Sequence, residues 1–295
     1  MLPAMEFTGN IVALVTPFRN GAVDGRALTR LVDHVIAGGA AGLVPCGTTG
    51  ESPTLSHEEH DEVVGITVDA ANGRVPVIAG TGSNCTEEAI RLTRAAGKHG
   101  ASAVLSVNPY YNRPTQEGLY RHFMAIADQS TVPIVLYNIP GRSAVELSLE
   151  TISRLAAHPN IQAIKEATGN VENVTRLRLA TKLCVLSGDD ALTLPMLALG
   201  ATGVISVLGN LLPQRMTELV RAGRAGDFAA ALKLHDRLFP LMKALFVESN
   251  PAPAKAALAA IGMMTEELRL PLCPIGAESR KAVLAALEPF LPELR

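Results

Sequence analysis

The sequence predicts an α/β protein, a (β/α)8 TIM barrel with a C-terminal helical extension, on three observations. Short apolar runs alternate with amphipathic stretches at a steady interval; eight such runs can be counted; and after the eighth only helical pattern continues. Strands of a parallel sheet are buried on both faces and so read as nearly unbroken apolar runs, and eight strand–helix units are the number that closes a barrel.

The runs are "IVALVTP" (11–17), "GLVPC" (42–46), "VPVIAG" (75–80), "AVLSV" (103–107), "PIVLYN" (133–138), "IQAIK" (161–165), "LCVLSG" (183–188) and "GVISV" (203–207), each followed by helix-like sequence. Helix starts support them. "SHEE" puts Ser56 at an N-cap with Glu59 three residues on, the reciprocal capping-box spacing, and Thr86, Thr115, Ser148 and Asp189 stand where other helices should begin. Glycines in "AGGAAGLV" and "KHGASAV" fit helix ends just before the next strand. From about residue 213 the pattern is helical only, broken at the proline-rich "ESNPAPAK" (248–255). The division expected is a barrel over residues 1–226 carrying the site and an extension over 227–295.

Composition narrows the function. With 295 residues and 48% hydrophobic content the chain can fill a large core. A net charge of -2 and the lack of a basic cluster argue against nucleic acid and against an anionic membrane surface as partners. No run approaches the roughly 20 apolar residues of a membrane span, and "MLPAMEFTGN" lacks the basic start and apolar core of a signal peptide, so a cytoplasmic protein acting on a small molecule is expected. Cys46, Cys85, Cys184 and Cys273 are far apart and read as reduced, buried small apolar residues. The seven histidines (His34, His57, His60, His99, His122, His158, His235) are assigned to helices or loops away from the strand ends, and His57 and His60 lack the zinc spacing of H-E-x-x-H, so no metal is expected. Neither a Walker loop nor a G-x-G-x-x-G follows a strand, and no cofactor is expected.

Barrel chemistry is assembled at the C-terminal ends of the strands. Standing there are Thr48 and Thr49, Tyr110 and Tyr111, Tyr137, Lys165 and Gly188. Each has an ordinary explanation: a lysine ending an apolar run usually carries its stem over the core and its ammonium into water, "GTTGES" could be a plain turn, and Tyr137 could finish a core layer. Together they bring an amine, proton-relaying hydroxyls and glycine-exposed backbone N–H groups to one mouth. A desolvated amine is a nucleophile for ketones and aldehydes. Strand alternation sends Glu166 to the opposite side, away from Lys165. The residues therefore point to a Schiff-base lyase or aldolase acting on a small oxo acid.

"GTTGES", "YYNRP", "YNIPGR", "IKEATGN", "SGDD" and "GVISV" resemble the pyruvate-dependent aldolase and lyase superfamily, and within it the 4-hydroxy-tetrahydrodipicolinate synthase family, from about residue 7 to the C-terminus. The resemblance implies that Lys165 forms an imine with pyruvate, that Thr48 and Thr49 lie near its carboxylate with Gly188 and Ile205 completing the binding site, and that L-aspartate 4-semialdehyde is the second substrate, on the route to lysine and diaminopimelate. It also implies a hydroxyl relay of Tyr137, Thr48 and Tyr111, with Tyr111 supplied by the neighbouring subunit of a tight dimer within a homotetramer, a dimer of dimers. Sister enzymes, N-acetylneuraminate lyase and 2-keto-3-deoxy sugar acid aldolases, share the lysine and tyrosine. Arg142 in "IPGR" separates them, because a guanidinium suits a carboxylate and a sugar hydroxyl does not require one. A catalytically idle barrel serving as a binding protein is disfavoured, since every expected catalytic position is filled.

Outside the mouth, Ser52, Pro53, His57, His60, Asn84, Glu88 and Tyr110 resemble the family's L-lysine feedback site. Without the resemblance they read as a polar helix face and a packed tyrosine. Two departures stand out: Pro53 replaces the usual alanine, and "GRSAVEL" replaces a commoner serine-arginine-threonine-glycine pattern around Arg142.

Overall fold

The computed structural model describes residues 5–294; of the stretch read for a leader, residues 1–4 lie outside the described residues. Its strands are β1 (Gly9–Ala13), β2 (Phe18–Arg19), β3 (Ala22–Val23), β4 (Gly42–Val44), β5 (Ile78–Gly80), β6 (Ala103–Val107), β7 (Ile134–Asn138), β8 (Ile161–Glu166), β9 (Cys184–Ser187) and β10 (Gly203–Ser206). The helices are α1 (Gly25–Ala37), α2 (His57–Ala71), α3 (Thr86–Lys98), α4 (Gln116–Gln129), α5 (Pro140–Ser143), α6 (Leu149–Leu155), α7 (Glu172–Ala180), α8 (Thr193–Ala198), α9 (Pro213–Arg224), α10 (Phe228–Ala244), α11 (Ala252–Ala260) and α12 (Ala277–Leu287).

Each of the eight apolar runs overlaps a strand, although β1 begins two residues before its run and β8 ends one residue after its own. Their parallel order is β4-β1-β10-β9-β8-β7-β6-β5, and a parallel bridge between Leu43 and Val77 brings the two ends of the sheet together into a barrel. The small antiparallel β2–β3 pair was not foreseen; two-residue strands carry too little alternation to read. Strand periodicity divides the core in two. Phe7, Ile11, Ala13, Val44, Ile78, Leu105, Val135, Tyr137, Ala163, Leu186 and Ile205 fill the barrel interior. Val12, Leu43, Val104, Leu136, Ile164, Val185 and Val204 face the helices. Each fully buried Leu, Ile or Phe contributes roughly 1.5–3 kcal/mol relative to exposure, so the alternation itself holds the register.

The caps are partly as expected. Ser56 and Glu59 form the capping box, and Thr115 and Ser148 accept from the backbone at the starts of α4 and α6. Thr86 does not cap α3: Cys85 holds that position, and the Thr86 hydroxyl instead meets His122 Nδ1 at 2.9 Å. Asp189 caps only a turn, accepting from Ala191 N, while α8 begins at Thr193. All four cysteines are free thiols as expected, but the expected burial fails for three of them. Cys46 is buried, but Cys184 is half-buried and Cys85 and Cys273 are exposed, because chain position and not hydrophobicity alone decides where a small side chain lies. Among the described residues no helix is long and apolar enough to cross a membrane.

Candidate active site

Lys165 occupies the inner face of the barrel wall near the C-terminal end of β8, two residues after the inward Ala163. It is 6% exposed and pairs in register with Tyr137 on one side and Leu186 on the other. Its Nζ lies 4.1 Å from the centre of the Tyr137 ring. Glu166 faces outward as alternation requires: its Oε1 accepts from Thr168 N at 2.9 Å, and burial raises its carboxyl above the usual range. It therefore does not pin the amine as an ion pair.

Gly188 donates its N–H to Glu166 O at 2.8 Å. A Cβ there would meet Ala167 Cβ at 2.6 Å and Lys165 Cε at 3.1 Å, so the absence of a side chain makes room for the lysine stem. Ile205 is buried on the interior wall. At the end of β5, Gly80 is equally constrained, since a Cβ would lie 2.2 Å from Cys46 O. That close approach seats the turn carrying Thr48 and Thr49 against the barrel.

A cavity of about 370 Å³ opens at this mouth, lined by Thr48, Tyr137, Arg142 and Leu105, and also by Ser52, Pro53, His57, His60, Glu88 and Tyr110. Of the expected catalytic and binding groups, Thr48, Tyr137 and Arg142 thus share one space with six of the seven expected regulatory residues, while Lys165, Thr49, Gly188, Ile205, Tyr111 and Asn84 are not among its lining residues. Two histidine assignments need correcting: His57 and His60 line this cavity, and His60 Nε2 is 2.7 Å from Gly80 O at a strand end. The first turn of α2 leans over the barrel mouth, which linear distance from a strand does not reveal. Burial lowers the His60 pKa below its usual value. Glu88 accepts from Ser83 Oγ and meets His57 Nε2 at 2.9 Å; these bonds, the Ser83 bond foremost, hold its carboxyl low. Tyr110 is shifted upward by burial, then by the Glu88 charge. Asn84 Nδ2 donates to Tyr110 O at 3.2 Å, so it braces the tyrosine from behind.

Tyr111 does not converge on the mouth within this chain. It is 90% exposed, with φ of 72°, a left-handed conformation costly for an aromatic residue. The same region holds Cys46 and Glu51, both at φ 55°, on either side of Thr48 and Thr49. Arg142, in the short helix α5, is exposed on the cavity rim.

Sequence reasoning missed a second buried lysine. Lys255, on α11, pairs with Glu51 with both side chains at 0% exposure, and its Nζ also donates to Glu267 O at 2.8 Å. Burial lowers its pKa, opposed by the Glu51 charge. Asn250, also missed, donates to Thr49 Oγ1 at 2.9 Å. The signal for Lys255 was available: "APAKAALAA" sets a lysine inside an apolar run just as "IQAIKEA" does.

A (β/α)8 barrel with a cavity and a buried amine at the C-terminal mouth defines a barrel enzyme, here a lyase. The chain belongs to the Dihydrodipicolinate synthetase family, whose model matches residues 6–289. It is 53% identical over 286 residues to the 4-hydroxy-tetrahydrodipicolinate synthase of Pelobacter propionicus, covering 96% of this chain and 99% of that one. To the enzyme of the same name from Thermodesulfovibrio yellowstonii it is 52% identical, covering 95% and 97%. The crystal structure of dihydrodipicolinate synthase from Aquifex aeolicus superposes with a TM-score of 0.95 at 47% identity, covering 97% of this chain and 98% of that one. The enzyme from Acinetobacter baumannii complexed with pyruvate gives 0.94 at 46% identity, covering 96% and 98%. That from Cyanidioschyzon merolae with lysine bound gives 0.93 at 42% identity, covering 96% and 97%.

Proposed function

We propose that the protein condenses pyruvate with L-aspartate 4-semialdehyde to 4-hydroxy-tetrahydrodipicolinate, on the route to diaminopimelate and lysine. The single observation that carries this reading is Lys165, a buried amine in register beside Tyr137 on the inner wall of a barrel of this family. The Lys165 amine attacks C2 of pyruvate, and water leaves to give the imine. Loss of a C3 methyl proton produces the enamine. Its C3 attacks the aldehyde carbon of the semialdehyde, and the resulting alkoxide takes a proton. The amino group of the new chain then attacks C2, and the Lys165 amine departs as the ring closes.

Tyr137, Thr48 and Tyr111 pass these protons. A phenol of ordinary pKa about 10 is a weak base alone, but linked hydroxyls can exchange protons with solvent. Tyr111 is the member supplied by a second copy of the chain, in keeping with its 90% exposure and strained backbone here; the assembly is a homotetramer. Thr49, Gly188 and Ile205 surround pyruvate, and Arg142 receives the semialdehyde carboxylate. We infer further that L-lysine inhibits the enzyme from the part of the cavity lined by Ser52, Pro53, His57, His60, Glu88 and Tyr110, with Asn84 bonded to the Tyr110 carbonyl, where Glu88 would hold an ammonium and Tyr110 would donate to a carboxylate. The enzyme needs no metal or cofactor and works in the cytoplasm.

The competing reading is a sugar-acid aldolase or N-acetylneuraminate lyase. A coupled assay decides. Pyruvate with aspartate semialdehyde is expected to turn over and pyruvate with N-acetylmannosamine is not; the reverse preference would replace the proposal.

A further inference from the structure

The turn bearing Thr48 and Thr49 is held by the C-terminal extension. Glu51, at φ 55°, ends this turn in a left-handed conformation, and its carboxylate is enclosed by Lys255 Nζ and by Arg269 N at 3.2 Å. Lys255 in turn lies 4.3 Å from the centre of the Phe18 ring. A buried ion pair is weak evidence for stability, because desolvation offsets much of its attraction. Its effect here is geometric: it fixes where the turn ends.

The other contact is more specific. Thr49 is 4% exposed, and its hydroxyl oxygen accepts from Asn250 Nδ2. A hydroxyl has one proton and two lone pairs. With Asn250 donating, the Thr49 proton must go to a different acceptor, and none exists among the described residues. Asn250 is itself 4% exposed, and its Oδ1 is buried with no partner among those residues. Keeping a half-satisfied amide inside the protein costs free energy, which sets this residue apart from core filling.

We propose that Asn250 is a positioning residue for the reaction: by donating to Thr49 it turns the Thr49 hydroxyl into a fixed donor for the carboxylate of the oxo-acid substrate. The Lys255–Glu51 pair holds the turn where that bond can form. The extension thereby takes part in substrate binding without touching substrate. The proposal rests on reading Lys165 and Thr49 as the groups that take up pyruvate.

The test compares Asn250→Ala, Thr49→Val and the double variant by pyruvate KM, kcat, thermal midpoint and pyruvate-dependent borohydride trapping at Lys165. Each single change is expected to raise pyruvate KM roughly fivefold to tenfold, the value of one oriented hydrogen bond, with little change in kcat. The double variant is expected to be no worse than Thr49→Val, since both act through one proton. Asn250→Asp, nearly the same size, can only accept; it draws the Thr49 proton to itself and raises KM at least as far, giving a second measurement should the alanine variant fold poorly. A wild-type pyruvate KM in Asn250→Ala, or an effect that adds fully to Thr49→Val, overturns the proposal while trapping at Lys165 continues. Loss of trapping from the unaltered enzyme would instead overturn the reading of Lys165 on which it rests.

Discussion

Replacing Gly188 by alanine places one methyl group between the end of β9 and Lys165, the proposed nucleophile. The added carbon would lie 2.6 Å from Ala167 Cβ, 3.1 Å from Glu166 O and 3.1 Å from Lys165 Cε. Carbon atoms pack best at roughly 3.5–4.0 Å, so the Ala167 contact requires about 1 Å of movement. Ala167 cannot yield by changing a rotamer, and Glu166 O is backbone that accepts from Gly188 N. The displacement therefore passes into the strand end carrying Lys165. Overpacking of this kind costs about 1–3 kcal/mol of stability, while a misplacement of about 1 Å at a reacting group costs about 100-fold in rate. The assay is the rate of pyruvate-dependent inactivation by borohydride, with denaturant unfolding run in parallel. A trapping rate about 100-fold down in a folded protein is expected. Trapping within twofold of the unaltered enzyme would refute the argument that Gly188 makes room for the lysine stem.

Arg142→Ala should weaken use of aspartate semialdehyde at least tenfold and leave pyruvate trapping nearly unchanged, because under the proposed assignment only the second substrate loses its carboxylate partner; steady-state kinetics against each substrate would reveal an equal loss in both if the assignment is wrong. Millimolar L-lysine should inhibit without competing with pyruvate, and Glu88→Ala or His57→Ala should abolish this, since the two side chains hold each other at 2.9 Å in the cavity; inhibition that survives both changes would place the effector elsewhere. Glu59 provides a pH prediction. Hydrogen bonds from Arg269 lower its pKa from the ordinary 4.5 to about 2. The folded pKa is depressed, so its stabilisation is present above about pH 4.5 and is lost as pH falls toward 2. Arg269→Met should flatten the fall in unfolding free energy over that window, and matching pH profiles for the two proteins would contradict the linkage.

The barrel was legible because eight buried strands leave eight apolar runs, and the interior-facing alternation of Ala163 and Lys165 follows from a period of two. Lys165, Tyr137 and Thr48 could be set at one mouth because strand ends in a barrel share one face. The spacing did not reveal contacts between distant segments. Asn250 reaches Thr49 across 201 positions and Lys255 reaches Glu51 across 204, and no local pattern records either pair. Tyr111 was drawn into the mouth by its neighbours in sequence, whereas a left-handed backbone turns it outward. His60 was placed far from the strand ends by counting along the chain, yet α2 folds it onto Gly80. Lys255 shows the limit of burial as a guide. It is as fully enclosed as any residue in the protein, but its carboxylate partner and its place outside the barrel interior separate it from Lys165.

That separation can be measured directly. Borohydride reduction in the presence of pyruvate, followed by peptide mass mapping, is expected to place a single reduced adduct on the peptide containing Lys165 and to abolish turnover; Lys165→Arg should take up none, because a guanidinium keeps its proton and cannot attack the carbonyl. An adduct mapped to Lys255, or activity that survives complete modification of Lys165, would contradict the account.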